Sequence, residues 1–305
     1  MTVPKIAAVK WLGPMIGATL PQIFKGSNGC YYVVKGEQNP RGVKTLANEL
    51  LASLILKRLG IPTPETAIID IPETLIEDNA ELQAMEFDLK KRWAPGLAFG
   101  SKMQMWGWRS LLKCPMFDLL PERLLGRVQN LRDFVSVLVF DAWSGQCDRR
   151  QALFIRRKGD NEMTALMIDN EACFGGSTWK LKSDLEAYFY SNNAVYDSVM
   201  GIDAFEQIFR SFRKNINLKT LTVDSLEIPE FWYGSDSSAL GELIHSLADR
   251  LSSLESLVSS ARASATRPFP NWVDHHWLQP RPVFKGFGGE IVSGQTLAFR
   301  TEFER

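Results

Sequence analysis

The sequence has few cysteines and few histidines, and it lacks several familiar catalytic motifs. Its 305 residues include 4 Cys without a CxxC pair and 3 His without an HExxH motif. These absences argue against a disulfide-rich scaffold, a zinc ribbon and an HExxH zinc hydrolase. The sequence also contains neither GxSxG nor GxxxxGK[ST]. The chain therefore carries no signature of an α/β-hydrolase or a P-loop nucleotidase.

An excess of charge of one sign is also missing. Lys and Arg number 35, as do Asp and Glu, and the sequence pI is about 6.8. Proteins that bind nucleic acid phosphates usually carry a basic excess, so we expect no direct nucleic-acid binding. The apolar N-terminal stretch is interrupted by Lys5, Lys10 and Pro14, and we expect no association with a membrane. The low cysteine content is typical of a reducing compartment and predicts a cytoplasmic location.

Periodicity predicts strands and one helix in the first 90 residues. Apolar segments at 21–25 and 30–35 flank the turn sequence GSNG, and further strands are expected at 66–71 and 83–89. A helix is predicted from Leu46 to Leu59, where Gly60 and the prolines beyond it end the pattern.

The remainder of the chain is predicted to be mainly helical. We expect a Trp-rich loop after residue 92, a helix at 131–143, a hairpin of strands 152–155 and 165–169, and a long helix at 237–263. The expected organisation is an N-lobe at 1–92, a C-lobe at 93–265 and a C-terminal arm at 266–305.

Lys35 and Glu49 form the first candidate pair. Lys35 ends a β-type segment, and Glu49 lies near the start of the next helix. A strand lysine and a helix glutamate can form an ion pair that directs the ammonium toward a nucleotide phosphate. Each has a plainer interpretation, as a solvated strand-end lysine or as a favourable charge in a first helical turn.

The segment FDAWSGQCDRRQALF supplies the second candidate. A helix ends at Trp143, and a polar loop then presents Asp148 and Gln151 before a strand. Phosphoryl transfer needs a carboxylate that accepts the proton of the acceptor hydroxyl and, nearby, an oxygen ligand for a metal. The alternative is a surface turn in which Asp148 pairs with Arg149 or Arg150.

Asp169 ends the apolar strand in ALMIDNEACFGG and is the third candidate. A carboxylate in this place can hold Mg²⁺, which prefers oxygen ligands, or can simply cap a turn. Taken together, the order of lysine, glutamate, loop aspartate with amide and strand-end aspartate is that of protein kinases. The motifs HRD, DFG and GxGxxGxV are absent, so an ordinary eukaryotic-type kinase is not expected.

The ordered set YYVVKG, NELLASLILKRLGIPTP, GLAFGS, FDAWSGQCDRRQALF and MIDNEACFGG resembles the HipA-like kinase domain proteins of bacteria, in their compact form. The resemblance covers about residues 10–260. It implies an α+β, protein-kinase-like bilobal fold with a β-rich N-lobe and a mostly helical C-lobe. It also implies ATP and Mg²⁺ as cofactors and transfer of the γ-phosphate to Ser or Thr of a protein substrate.

The resemblance assigns roles to individual residues. Lys35 matches the lysine that contacts the ATP phosphates, with Glu49 as its helix partner. Asp148 matches the catalytic aspartate, and Asp169 the Mg²⁺-binding one. Gln151 stands where many relatives have a metal-binding Asn slightly further on.

A second departure from the family pattern is Gln146, which takes the place of another Asn. In addition, the loop Gly26, Ser27, Asn28 and Gly29 is predicted to cover the phosphates with backbone N–H groups, or else to be only a hairpin turn.

Two alternatives to a protein kinase remain from the sequence. One is a kinase-shaped module that binds nucleotide or a partner with weak or no catalysis, which the two glutamines and the C-terminal arm favour. The other is a phosphotransferase of the antibiotic-modifying kind, which acts on a small molecule. The tryptophans Trp93, Trp106 and Trp108 are expected to fill packing between the lobes, or to line a substrate groove.

Overall fold

The structure is a computed structural model that describes residues 2–15, 20–86, 89–103, 120–156, 161–181, 189–234 and 237–273. Strands dominate the chain as far as Lys102, and helices dominate it from Glu122 onward. This confirms the predicted α+β class, with a strand-rich first part and a mainly helical second part.

The described residues of the first part form seven strands and two helices. The strands are β1 (Lys5–Pro14), β2 (Gln22–Gly26), β3 (Tyr31–Lys35), β4 (Thr66–Ile71), β5 (Gln83–Glu86), β6 (Leu89–Arg92) and β7 (Gly96–Lys102), and the helices are α1 (Lys44–Arg58) and α2 (Glu73–Glu77). Five of the strands close into a barrel in the order β1-β2-β3-β7-β4, while β5 and β6 form a separate hairpin. Within the barrel only β1 and β4 pair in parallel.

Alternation along the strands separates the barrel core from the functional face. Phe24, Tyr32 and Val34 are buried inside the barrel. Because successive side chains of a strand point to opposite faces, Lys35 projects away from the core that Val34 enters. Trp93 packs edge-on against Phe24 with ring centroids 6.2 Å apart, so it fills the barrel core. The other two tryptophans named above lie outside the described residues.

The segment after Trp93 differs from its predicted loop. Residues 96–102 form β7, which pairs with β3 on one side and with β4 on the other. The glycines of GLAFGS hide the strand signal, since glycine is rare in strands. At Gly100 a Cβ atom would lie 2.4 Å from Cγ1 of Ile69, so glycine is needed for the close approach of the two strands.

The described residues of the second part form one hairpin and five α-helices. They are α3 (Asp133–Ser144), β8 (Gln151–Arg156), β9 (Met163–Ile168), α4 (Glu206–Asn215), α5 (Leu218–Ser225), α6 (Ser237–Asp249) and α7 (Leu254–Ala263). Short 3-10 helices span Glu122–Arg127, Cys173–Thr178, Asn193–Tyr196, Ile202–Phe205, Glu230–Trp232 and Arg250–Ser253. The predicted helix at 131–143 and the predicted hairpin are confirmed within a few residues.

The predicted helix at 237–263 is two helices, because the 3-10 turn Arg250–Ser253 separates α6 from α7. The hydroxyl of Ser252 donates to the carbonyl of Asp249, a local bond that competes with regular helical pairing. The helical spacing of leucines continues through both helices, so the sequence pattern did not indicate the break between them.

Helix α1 connects the two parts of the fold. Twelve of its 15 residues are buried, and its leucines belong to the same core as α3 and α7. At its C-terminal end Arg58 donates two hydrogen bonds to the buried Asp224 of α5, at 2.5 and 2.7 Å. The core packing of α1 and the contact at its C-terminal end therefore fix the position of the helix, and with it the position of Glu49.

Among the described residues no helix has both the length and the apolar character needed to cross a bilayer.

Candidate active site

The ammonium group of Lys35 lies at the centre of a cluster of acidic side chains. Its Nζ atom is 2.6 Å from Oε1 of Glu49, 2.6 Å from Oδ1 of Asp169 and 3.0 Å from Oε2 of Glu171. An ammonium has three donors, so these three carboxylates satisfy it completely. The side chain of Lys35 is 14% exposed.

Glu49 joins the helix to the strand and to the loop after β9. One of its carboxylate oxygens binds Lys35, and the other accepts the backbone N–H of Asn170 at 3.1 Å. Its side chain is only 4% exposed. The predicted ion pair is therefore present, and it also anchors the chain immediately after Asp169.

Asp169 follows β9 directly and contacts the start of β8. Its φ of 62° lies in the left-handed region, which aspartate adopts more readily than most other non-glycine residues. Its Oδ2 atom accepts a hydrogen bond from Nε2 of Gln151 at 2.6 Å. The pairing of Gln151 with Ile168 in the hairpin brings these two predicted metal ligands together.

Glu171 completes the cluster and was not among the predicted site residues. Its Oε2 atom accepts from Lys35 and from Nδ2 of Asn39, both at 3.0 Å, while Asn48 of α1 donates to its backbone carbonyl. The available signal was the spacing in Asp169-Asn170-Glu171, which places two acids two residues apart after an apolar strand.

Arg41 connects Asp148 to this cluster. Its Nη1 atom is 2.9 Å from Oδ2 of Asp148 and 3.1 Å from Oε1 of Glu171. The surface-turn alternative required Asp148 to pair with Arg149 or Arg150. The arginine side chain that pairs with Asp148 is instead Arg41. The Asp148 side chain is 41% exposed and can be reached by another molecule.

Arg150 instead stabilises the segment around Asp169 through buried hydrogen bonds. It is fully buried and binds both carboxylate oxygens of Asp141 on α3. It also donates to the carbonyl of Ile168 at 2.9 Å and to Oδ1 of Asn170 at 2.8 Å. These bonds fix the residues on either side of Asp169.

The charged groups of the cluster shift one another's pKa values. Burial lowers the pKa of Lys35, but the attraction of Glu49, Asp169 and Glu171 outweighs burial and holds that pKa well above its usual 10.5. Burial opposes ionisation of Asp169, yet Lys35, with Arg150 and Arg41, lowers its pKa below 3.8. Burial raises the pKa of Glu49 above 4.5, because it outweighs the attraction of Lys35.

The donor set fits a divalent cation that prefers oxygen. Carboxylate oxygens of Glu49, Asp169 and Glu171 lie within 4.8 Å of one another. In addition, Oε1 of Gln146 is buried without a hydrogen-bond partner among the described residues, and its Nε2 lies 3.4 Å from the carbonyl of Asp169. Carboxylate and amide oxygens are ligands that Mg²⁺ accepts.

The loop of Gly26, Ser27, Asn28 and Gly29 forms the turn between β2 and β3. The N–H groups of Gly26, Ser27 and Gly29 donate to backbone carbonyls within the barrel, and the Asn28 side chain donates to the hydroxyl of Tyr32. Three of the four backbone donors expected to cover phosphates are therefore occupied. The phosphate-covering role of this loop stays a prediction, and it requires those bonds to exchange.

The structure thus brings most predicted site residues together. Lys35, Glu49, Asp169 and Gln151 are linked by direct contacts, and Asp148 is linked through Arg41. Among the described residues, no hydrogen bond or ion pair links the Gly26–Gly29 loop to them.

The fold resembles solved kinase structures. The Helicobacter pylori proinflammatory kinase CtkA is 13% identical with a TM-score of 0.51, and the alignment covers 85% of this chain and 98% of that chain. The Golgi casein kinase with Mn/ADP bound is 14% identical with a TM-score of 0.46, over 85% of this chain and 73% of that chain. At these identities the likeness to CtkA shows a kinase-like fold alone.

A comparison with curated proteins gives one partial match. A cytochrome P-450 monooxygenase of Penicillium shearii is 30% identical over an alignment of 117 residues, and the alignment covers 36% of this chain. The chain spans only 23% of that protein, so this match assigns no family.

The family model of the HipA-like kinases matches residues 14–259, a range that contains every contact of the acidic cluster. A kinase function, meaning phosphoryl transfer in general, is supported by this match and by the fold. The chain belongs to the HipA-like kinase family.

Proposed function

We propose that the protein transfers the γ-phosphoryl group of ATP, with Mg²⁺, to a Ser or Thr hydroxyl of another protein. The observation that carries this proposal is the simultaneous contact of Lys35 with Glu49 and Asp169, at 2.6 Å each. A lysine–glutamate pair beside a metal-binding aspartate is the arrangement that kinases need for phosphoryl transfer.

Each residue then has a distinct task. Lys35, oriented by Glu49, neutralises phosphate oxygens of ATP. Asp148 orients the acceptor hydroxyl and takes its proton as the hydroxyl oxygen bonds to the γ-phosphorus. The bond from that phosphorus to the β–γ bridging oxygen breaks, and ADP leaves with the electron pair. The exposure of Asp148 allows an acceptor side chain to reach it.

Asp169 and Gln151 are proposed as metal-binding residues, with Glu171 as a further carboxylate of the cluster and Gln146 as a further amide beside Asp169. When bound, the divalent cation neutralises the charge of the phosphates. Among the described residues, the ion pairs of these four carboxylates involve two cations, Lys35 and Arg41, so a dication also offsets the negative excess of the cluster.

The division into lobes and the cellular location belong to the same proposal. Because β7 pairs within the barrel, we place the end of the N-lobe after Lys102, later than residue 92. The C-lobe boundary at 265 stays a prediction, and residues 274–305 of the predicted arm lie outside the described residues. A cytoplasmic location is supported by the low cysteine content.

The test is transfer of label from γ-labelled ATP with Mg²⁺ or Mn²⁺, to the protein itself and to a mixture of cellular proteins. Asp148→Ala and Asp169→Ala should remove the label. Asp70→Ala is the matched control, because Asp70 lies 45% exposed in an ion pair with Lys5. Absence of label with a folded, nucleotide-bound wild-type protein would contradict the transferase activity.

A second candidate is a nucleotide-binding module without transfer. It is favoured by one observation, namely that Lys35 and Gln151 occupy both carboxylate oxygens of Asp169. In that case nucleotide binds, no label moves, and Asp148→Ala leaves the biological effect intact.

A further inference from the structure

Arg41 is a second cation at the acidic cluster and was not among the predicted site residues. It lies in the loop between β3 and α1, the segment EQNPRG, which has breaker residues and no catalytic motif. Its guanidinium reaches two acids on different segments, Asp148 and Glu171.

The loop holds Arg41 in place through Asn39. The side-chain oxygen of Asn39 accepts the backbone N–H of Arg41 at 2.9 Å, and its amide nitrogen donates to Glu171 at 3.0 Å. Asn39 is buried, so the loop is tied to the same carboxylate that binds Lys35. The backbone of Arg41 is thus anchored to the cluster at the point from which its side chain extends.

Most of the hydrogen-bonding capacity of Arg41 is unused. Both contacts to acids are made by Nη1, while Nε and Nη2 have no partner in the part of the chain that the structure describes. The side chain is 47% exposed. A guanidinium presents its N–H groups in a planar fork that matches phosphate oxygens, so the unused donors suit a phosphate at this place.

We propose that Arg41 binds the phosphoryl group that ATP transfers and, through the same guanidinium, holds Asp148 beside it. This inference rests on the proposed function and adds a catalytic residue to it. Lys35 contacts Glu49 and Asp169, whereas Arg41 contacts Asp148, the group assigned to the acceptor hydroxyl. Because that hydroxyl attacks the γ-phosphorus, a cation in contact with Asp148 lies nearest the γ-phosphate.

Nucleotides with and without a γ-phosphate separate this role from general charge effects. Binding of ADP and of the non-hydrolysable β,γ-imido analogue of ATP is measured with Mg²⁺ by calorimetry, on the full chain. Arg41→Ala should lower the affinity for the triphosphate analogue about 10-fold to 100-fold, as expected for loss of a charge-assisted hydrogen bond. It should lower the affinity for ADP by less than about twofold. Arg41→Lys should fall between, because it keeps the charge without the fork.

Arg213→Ala is the matched control, since Arg213 is 45% exposed and also pairs with an acid, Glu255. It should bind both nucleotides as the wild type does. Thermal unfolding checks that each variant is folded. If Arg41→Ala does not fold, Arg41→Lys serves as the test.

The outcomes distinguish the inference from the function on which it rests. If the wild type binds both nucleotides and the Arg41 variants lower the two affinities equally or not at all, the inference is wrong and the proposed function stands. If the wild type binds neither nucleotide, the proposed function fails and the inference fails with it.

Discussion

Gln151 donates a hydrogen bond from Nε2 to Oδ2 of Asp169 over 2.6 Å, so its amide oxygen is directed away from the carboxylate that it contacts. For both residues to bind one metal ion, the amide must turn and present that oxygen. A glutamine turns at the cost of this hydrogen bond, which a carboxylate at the same position could not form in the first place.

We therefore expect Gln151→Leu to weaken Mn²⁺ binding by about 10-fold or more, because it removes an oxygen ligand. Gln151→Glu should instead bind Mn²⁺ more tightly than the wild type, since it adds a charged oxygen. Electron paramagnetic resonance titration of free Mn²⁺ with ADP present measures both. Gln129→Leu is the control, as Gln129 pairs with the exposed Glu162. Unchanged affinity in Gln151→Leu would show that Gln151 is not a ligand.

Removal of the charge at Asp148 should slow transfer without weakening nucleotide binding. Asp148→Asn keeps an oxygen that Arg41 can contact but cannot accept the hydroxyl proton. A general base contributes about 10²-fold to 10⁴-fold, so we expect a loss of that size in the single-turnover rate of label transfer. Calorimetry should give a nucleotide affinity within about twofold of the wild type. A wild-type rate in this variant would remove Asp148 from the chemistry.

The local sequence predicted one contact of the site, the ion pair of Lys35 and Glu49. Lys35, Glu49 and Asp169 each stand at the end of an apolar segment or early in a helix, where strand alternation and helix periodicity fix the direction of a side chain. Their meeting point could then be inferred from their order along the chain. The same reasoning placed Gln151 and Asp169 at neighbouring ends of one hairpin.

The contacts that the sequence did not predict come from loops. Arg41 lies in a turn without periodicity, and its distance from Asp148 depends on how the Asn39 side chain ties that turn to Glu171. Such a relationship involves three separate segments and leaves no trace in any one of them. Strand β7 was missed for a different reason, since the glycine that permits close packing against Ile69 also weakens the strand signal.

Lys35 should stabilise the fold over a wide range of pH. Its pKa is held well above 10.5, so its contribution is complete below 10.5 and is lost as the pH rises through the higher folded value. The pKa of Asp169 is lowered from 3.8, so its contribution is present above 3.8 and is lost as the pH falls through the lower folded value.

Lys35→Met leaves three carboxylates without their shared cation, and we expect it to lose about 3–5 kcal/mol of unfolding free energy at neutral pH. The difference from the wild type should be largest between these two limits and should shrink beyond each of them. Denaturant unfolding from pH 4 to 10 measures the plateau. Lys5→Met, which removes a 58% exposed lysine from its pair with Asp70, should change stability by less than about 1 kcal/mol. A variant as stable as the wild type at neutral pH would contradict the central role of Lys35.

The buried pair of Arg150 and Asp141 allows a stability test that does not depend on any ligand. Their side chains are 0% and 8% exposed, and burial raises the pKa of Asp141 above 3.8 despite the neighbouring guanidinium. Arg150→Met should cost about 3–5 kcal/mol at neutral pH, because it leaves the Asp141 carboxylate buried without a counter-charge. The loss should decrease as the pH falls and that carboxylate becomes protonated.

A double variant, Arg150→Met with Asp141→Leu, should recover part of this loss, because no uncompensated charge remains. Recovery should be incomplete, since the carbonyl of Ile168 and the side chain of Asn170 still lack the donor that Arg150 supplied. Denaturant unfolding of the wild type, both single variants and the double variant gives the coupling energy. Because Asn170 holds the backbone next to Asp169, metal affinity should stay reduced in the double variant even where stability returns. If stability and metal affinity recover together, Arg150 balances the charge of Asp141 and does not position Asp169.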